Sequence, residues 1–81
     1  MLKATVENRG DGITKHTYSS PSGEFHSMIY SIREKTFDVH YILPIRITEA
    51  YPDIDEVKTY QTLDEAFAAV MATYGFLTDR E

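Results

Sequence analysis

Hydrophobic and polar residues alternate over much of the first 48 positions, a pattern that is typical of β-strands. Two runs rich in β-branched and aromatic residues, 28–32 and 37–43, are separated by the polar residues 33–36. This arrangement predicts a β-hairpin. Turn clusters that contain glycine at residues 8–12 and 19–23 predict two further hairpin connections nearer the N-terminus.

Pro44 interrupts the extended pattern after this hairpin. Because proline cannot donate a hydrogen bond to a neighbouring strand, we expect a bulge or an edge position there, in a run that continues through residues 45–48. A fifth extended segment is expected to end near Tyr60.

The C-terminal part of the chain carries the pattern of an amphipathic helix. Thr62 and Glu65 are spaced as a capping box, in which each side chain satisfies a free backbone N–H of the first turn. Gly75 stands where a left-handed helix stop is common. The pattern therefore predicts a helix from about residue 63 to residue 74. Its hydrophobic face would be formed by Leu63, Phe67, Val70, Met71 and Tyr74.

A two-residue turn at Glu34 and Lys35 would fix the register of the third hairpin, with Tyr30 opposite Val39. The face that carries the helix would then hold Met28, Tyr30, Ile32, Phe37, Val39, Tyr41 and Leu43. If the second hairpin keeps the same parity, the first hairpin adds Leu2, Ala4, Val6 and Ile13.

The other face of this sheet would be open and unusually apolar for a solvated face. Exposed apolar patches often mark interfaces. We predict a partner-binding surface there, formed by Tyr18, Phe25, Ile29, His40 and Ile42. The alternatives are that residues 44–60 cover the face or that the register differs, since a one-residue slip in the 19–23 loop would flip the first two strands.

These elements predict one α+β domain over residues 1–81, in two layers. We expect an antiparallel sheet of four to five strands with one α-helix packed on one face. A chain of 81 residues has room for one domain with a modest core.

Composition narrows the class of protein. The chain has no cysteine, which excludes disulfides, thiolate nucleophiles and thiolate zinc sites and favours an intracellular setting. No apolar stretch is long enough for a signal peptide or a membrane span, so we expect a cytoplasmic protein. The formal net charge of −5 argues against direct nucleic-acid binding, which requires a basic surface.

The acidity is concentrated toward the C-terminal end. Residues 1–48 carry six basic and five acidic side chains, whereas residues 49–81 carry two basic and eight acidic ones. The order of a calcium-binding loop is absent. We predict an acidic loop that contacts a basic surface on a protein partner; the alternative is a solvated loop. The loop would be formed by Glu49, Tyr51, Asp53, Asp55 and Glu56.

The sequence contains no convincing catalytic or metal-binding set. In the predicted register His16 and His40 lie roughly 10 Å apart, and His26 points to the opposite face. Serine-hydrolase, P-loop and dinucleotide motifs are missing. We therefore predict no enzyme, no metal and no cofactor. The alternatives are a small His-dependent or metal-dependent enzyme acting as a multimer, and a homo-oligomeric structural protein, with a homodimer as its simplest form.

One local resemblance points in the same direction. Tyr51-Pro52-Asp53-Ile54, followed by the T-L-D-E-A run from Thr62, resembles the strand-to-helix passage of HicB-type antitoxins. That resemblance implies inhibition of an RNase toxin by binding, although the chain lacks the Pro-Gly expected in that family. In general format the chain resembles small phage-encoded inhibitors, including anti-CRISPR proteins. We expect a non-enzymatic inhibitor that occupies a macromolecular, nucleic-acid-handling partner.

Overall fold

The computed structural model describes residues 2–78, which form one antiparallel sheet and two helices. The strands follow one another across the sheet in chain order, and the C-terminal helix packs against the last three of them. This confirms the predicted α+β architecture. No helix in residues 2–78 has the length and apolar character of a membrane span. The elements are β1 (Lys3–Gly10), β2 (Ile13–Ser19), β3 (His26–Ile32), β4 (Thr36–Ile42), α1 (Ile45–Ala50), β5 (Lys58–Tyr60) and α2 (Leu63–Thr78).

Helix α2 begins as the capping-box pattern predicts. The Glu65 backbone N–H donates to Thr62 Oγ1 at 3.1 Å, and the Thr62 hydroxyl donates to Glu65 Oε1 at 3.1 Å. The predicted end is wrong, because Gly75 lies inside a helix that continues through Thr78. The added turn packs Leu77 against the core, and this packing outweighs the cost of about 1 kcal/mol for a glycine in a helix.

Pro44 starts a helix instead of interrupting a strand. It is the N-cap of α1, with φ of −57°, and its carbonyl accepts the Ile47 N–H at 2.9 Å. The fixed φ of proline suits a helix start as well as an edge strand. The predicted bulge or edge position at Pro44 is therefore wrong, whereas β5 is the fifth extended segment expected near Tyr60.

The β3–β4 hairpin is shifted by one residue from the predicted register. Ile32 pairs with Thr36, which leaves three residues in the turn. Arg33 and Glu34 adopt positive φ angles of 55° and 57°, and the Lys35 N–H donates to the Ile32 carbonyl at 3.2 Å. The predicted two-residue turn is wrong, and the shift moves the side chains of β3 to the other face relative to β4.

Helix α2 consequently packs on the opposite set of β3 side chains. Ile29 is 0% exposed and Phe25 is 5% exposed, so their predicted place on the open face is wrong. Tyr18 also lies on the helix side, where its ring centroid is 5.2 Å from that of Phe67. The remaining buried members of the core are Phe37, Val39, Ala66 and Val70.

Two serines explain why this face of β3 is buried. Ser27 and Ser31 flank Ile29 and are themselves fully buried. Their small side chains leave room for a helix above the middle of the sheet, whereas Met28 and Tyr30 in the same places would hold it away. Neither hydroxyl has a hydrogen-bond partner among residues 2–78, so close packing leaves two polar groups unsatisfied.

Strand β1 lies outside the core. All its residues are exposed, and Val6 is 67% exposed. Of the first-hairpin residues predicted to face the helix, only Leu2 packs against the core. Ile13 pairs with Ile32 on the other face. The backbone of α2 approaches β3, β4 and β5, and its side chains reach β2 through the contact of Phe67 with Tyr18. Strand β1 lies beyond them and forms a free edge of the sheet.

Tyr41 connects α2 to β4. Its hydroxyl donates to Thr73 Oγ1 at 3.2 Å, and its ring meets that of Phe25 edge-on at 5.9 Å between centroids. Burial raises the pKa of Tyr41 above its usual value, and the hydrogen bond to Thr73 opposes that rise in part. The folded state therefore favours the neutral phenol.

Paired isoleucine variants test the parity of β3. Ile29→Ala is expected to lower the free energy of unfolding by about 2–5 kcal/mol, because it deletes buried methyl groups and leaves a cavity. Ile32→Ala, on the same strand but 59% exposed, should cost less than about 0.5 kcal/mol. Urea denaturation at low protein concentration measures both values. Equal losses would contradict the observed register.

A serine variant tests the unsatisfied hydroxyls. Ser27→Ala is expected to leave the free energy of unfolding unchanged or to raise it by about 1 kcal/mol, because it removes a buried polar group without a partner. Ser22→Ala, in the exposed β2–β3 loop, should give no gain. A clear loss of stability in Ser27→Ala, measured by thermal and urea unfolding, would show that the hydroxyl is satisfied.

Tyr41 predicts a stability change at alkaline pH. Stability due to the neutral phenol is fully present below the unfolded pKa of about 10 and is lost as pH rises through the higher folded pKa. Tyr41→Phe is expected to cost about 1 kcal/mol at pH 7 and to lose less stability than the wild type from pH 9 to 11. Thr73→Val should lose at least as much stability as the wild type over this range, because it removes the hydrogen bond that opposes the rise in the Tyr41 pKa. Identical pH profiles for Tyr41→Phe and the wild type would disprove the assignment.

Candidate partner-binding surfaces

Residues 49–56, which we call the acidic segment, begin in the last turn of α1 and continue through an ordered series of turns toward β5. The Ile54 N–H donates to the Tyr51 carbonyl at 3.0 Å, and the Glu56 N–H donates to the Asp53 carbonyl at 3.2 Å. These bonds hold the backbone in a defined path. The predicted acidic loop therefore consists mainly of hydrogen-bonded turns.

The carboxylates of the acidic segment all point their charge toward solvent. Each of the four residues is exposed, and none lies within ion-pair distance of a basic side chain in the part of the chain that is described. Their negative charges add to one another in a small region of surface. The four residues are Glu49, Asp53, Asp55 and Glu56.

An aromatic contact joins the acidic segment to α2. The rings of Tyr51 and Phe76 meet edge-on, with centroids 5.1 Å apart and an interplanar angle of 75°. Beside this pair lies a shallow depression of about 470 Å³, lined among others by Asp53, Ile54 and Ala72. Tyr51, predicted as part of the acidic loop, thus stands between charged and apolar groups.

The outward side of α2 is apolar, and we call it the α2 outer face. No charged residue occurs from residue 66 to residue 78. A surface helix normally turns charged residues outward, and a helix that is apolar all round is typical of a buried position. The α2 outer face consists of Phe67, Ala68, Met71, Ala72 and Phe76, all of them exposed.

Sequence reasoning did not identify the α2 outer face. It placed Phe67 and Met71 on the buried side, whereas the helix buries Ala66 and Val70 and leaves those two residues about 40% exposed. The uncharged stretch itself is a signal in the sequence that indicates such a surface.

The predicted sheet-face surface does not assemble as expected. Phe25 and Ile29 belong to the core, and Tyr18 lies on the helix side. Only His40 and Ile42 lie on the uncovered side of the sheet, where Ile42 is 61% exposed. The one-residue shift in register accounts for all three corrections.

The uncovered side of the sheet, which we call the open face, is centred on Tyr30. The Lys15 ammonium lies 5.9 Å from the centroid of the Tyr30 ring, and the His40 ring meets it edge-on at 5.2 Å. The Tyr30 hydroxyl donates to the Met28 sulfur at 3.9 Å. Aromatic, cationic and imidazole groups therefore share the middle of this face.

The histidines are grouped differently from the prediction. His26 and His40 share the open face on neighbouring strands, whereas His16 lies on the helix side. The predicted placement of His16 on the same face as His40, with His26 on the opposite face, is wrong for the same reason of register. Across residues 2–78, no three His, Asp or Glu side chains come together as a metal site.

A second concave region lies at the end of the sheet near α1. It has a volume of about 390 Å³ and an apolar floor that includes Phe25, Leu43 and Tyr74. At its rim Arg46 donates to both oxygens of Glu24 at 2.6 Å. Its walls come from segments that are distant in sequence, so no local pattern indicates it.

The acidic segment and the α2 outer face meet at the contact between Tyr51 and Phe76, and we call the combined area the acidic–apolar surface. It offers aromatic and methyl groups in its middle and carboxylate oxygens at its margin. Such groups are suited to binding a complementary surface. No protein-family model, curated protein or solved structure matches the chain.

Proposed function

We propose that the protein is a small non-enzymatic inhibitor or modulator that acts by occupying the surface of a macromolecular partner. The acidic–apolar surface is the proposed binding site. The observation that carries the proposal is an exposed, uncharged helix face bordered by carboxylates that form no ion pair with a basic side chain among residues 2–78. A partner that covers it has an apolar centre and a basic margin, which is typical of proteins that handle nucleic acids.

The apolar centre supplies most of the affinity in this proposal. Phe67, Met71 and Phe76 each leave about 40% of their surface exposed, and binding removes that surface from water. Large side chains of this kind, when buried at the centre of an interface, contribute about 2 kcal/mol or more each. The helix holds them in fixed positions, which limits the entropy lost on binding.

The carboxylates supply orientation and speed of association. Charges at the margin of an interface steer a complementary partner into place and discriminate against partners of the wrong sign. They also engage the lysines and arginines that a nucleic-acid-handling protein uses to bind phosphates. Occupancy of that basic surface is the proposed mechanism, as expected for inhibitors of the phage-encoded, anti-CRISPR type.

A narrower form of the proposal makes the partner an RNase toxin. The residues that resemble HicB-type antitoxins, 51–74, include Tyr51, Asp53 and most of the α2 outer face, so the resemblance falls on the proposed site. The strand before the helix in that passage is β5, and residues 51–54 form turns.

A triple charge variant tests the proposed site. Asp53→Asn, Asp55→Asn and Glu56→Gln together are expected to reduce partner recovery from a lysate of the source cell about tenfold, because three marginal charges are lost. The matched control neutralises Glu7, Asp11 and Glu34, which changes net charge equally but lies on β1 and the hairpin turns. The control should recover the partner at the wild-type level.

Several outcomes would contradict the proposal. Equal recovery with both triple variants removes the acidic segment from the site, and unchanged recovery with Met71→Lys removes the α2 outer face. Mass spectrometry identifies the partner, and an RNase among the specific proteins supports the narrower form. If the purified partner keeps full activity when saturated with the protein, occupancy is not inhibitory.

A further inference from the structure

The charges on the open face are arranged for a second copy of the chain. Lys15 on β2, Tyr30 on β3 and Asp38 on β4 are direct neighbours in one row across the sheet. The positive charge of Lys15 and the negative charge of Asp38 therefore each lie one strand away from β3, on opposite sides of it. We propose that two copies pack open face against open face around a two-fold axis that runs along β3.

This axis is selected by charge. With the axis along β3, β2 of one copy lies over β4 of the other, so Lys15 faces Asp38 of the second copy, twice. An axis along β2 would place Lys15 against its own equivalent, and an axis along β4 would do the same to Asp38. Of these three axes, only the one along β3 pairs Lys15 with Asp38, and like charges across an interface are costly. The same axis places Glu7, the neighbour of Lys15 on β1, opposite the uncharged Thr59 on β5.

Apolar side chains lie where the axis runs. Tyr30 and Ile32 come from β3 on the open face, so each would meet its own equivalent in the second copy, whereas Met28 on the same face is already only 8% exposed. Ile32, now 59% exposed, would be covered. A depression of about 400 Å³ at this end of the face is lined by Arg9, Ile13, Tyr30, Ile32, Thr36 and Asp38, so one basic and one acidic side chain border the apolar groups beside the axis.

The size of the open face determines how strongly two copies are expected to associate. Four strands of seven or eight residues give a face of roughly 20 by 23 Å, so two copies bury on the order of 900–1,100 Å². This area is at the lower limit for a specific interface. The inference is therefore a reversible dimer that forms in the micromolar range, and not a permanent one.

The dimer is independent of the proposed inhibitory function and compatible with it. The acidic–apolar surface lies on the helix layer, so the two sites of a dimer would face away from each other. Two sheets and two helix layers, each about 10 Å apart, separate the acidic segments by roughly 30 Å, well beyond the Debye length of about 8 Å. Their repulsion then opposes dimerisation only weakly.

Charge reversal in separate chains tests the proposal directly. Lys15→Asp and Asp38→Lys are each expected to weaken self-association at least tenfold in sedimentation equilibrium. A 1:1 mixture of the two variants should dimerise as the wild type does, because each mixed pair restores two opposite-charge contacts. Asp38 also accepts a 2.6 Å hydrogen bond from Thr59, so circular dichroism establishes that each variant is folded.

Control variants distinguish this dimer from other arrangements. Ile45→Lys, at an exposed position on α1, should leave self-association unchanged. With a short bifunctional thiol reagent, Ile32→Cys should give a cross-linked dimer and Thr5→Cys should not, because Thr5 lies on β1, far from the axis. Cross-linking through Thr5 alone would show that β1 edges pair instead. A wild-type chain that stays monomeric at millimolar concentration, or a mixture that fails to dimerise, overturns the proposal.

Discussion

The burial of Ile29 beneath α2 is the contact on which the rest of the structure depends. Ile29 is on the central strand, and its direct neighbours across the sheet are His16 and Val39. Once its side chain points toward the helix, the facing of every residue on β2 and β4 is decided as well. Both surfaces described above follow from that single orientation, because it determines which residues the helix covers and which remain on the open face.

Local signals in the sequence predict local structure well. Glycine-containing turns mark the first two connections, and the spacing of Thr62 and Glu65 marks the start of α2, because both depend on backbone geometry within a few residues. Pro44 does not predict one structure over another, since its fixed φ suits a helix start and an edge strand equally. Gly75 is common as a stop, but packing of the next turn overrides that preference.

The parity of β3 is harder to predict because both alternating sets of its residues contain apolar side chains. Met28, Tyr30 and Ile32 form the more hydrophobic set, which favours the wrong face. The set with Ser27 and Ser31 is buried because it is small, and the benefit of smallness depends on a helix that is far away in sequence. A hydrophobic pattern indicates which side chains gain free energy by leaving water. It does not indicate how much space is available for them beneath a helix.

In the candidate site, too, the sequence predicts the part that depends on neighbouring residues, and tertiary structure decides the rest. Charge density in the sequence identifies the acidic segment, because carboxylates close in sequence stay close on a surface. The α2 outer face was assigned to the core because Phe67 and Met71 fit a helical stripe. The backbone of the helix lies over only three of the five strands. Phe67 touches Tyr18 of β2, yet Phe67 and Met71 stay about 40% exposed, and only tertiary structure reveals this. The acidic segment and the α2 outer face therefore form one surface only in the folded chain.

Because β1 is exposed, the sheet can open in two ways that differ in free energy: local detachment of β1 and global unfolding. Detaching β1 from β2 displaces no buried side chain of β1 and moves Leu2 away from the core. The free energy of this opening is therefore limited to the strand's hydrogen bonds, its surface contacts and the packing of Leu2. Global unfolding must also separate α2 from Ile29 and its neighbours. Strand β1 can thus fray and re-form many times within the lifetime of the folded domain. Lys3, Glu7 and Arg9 place charges along this edge and disfavour its pairing with unrelated strands while it is open.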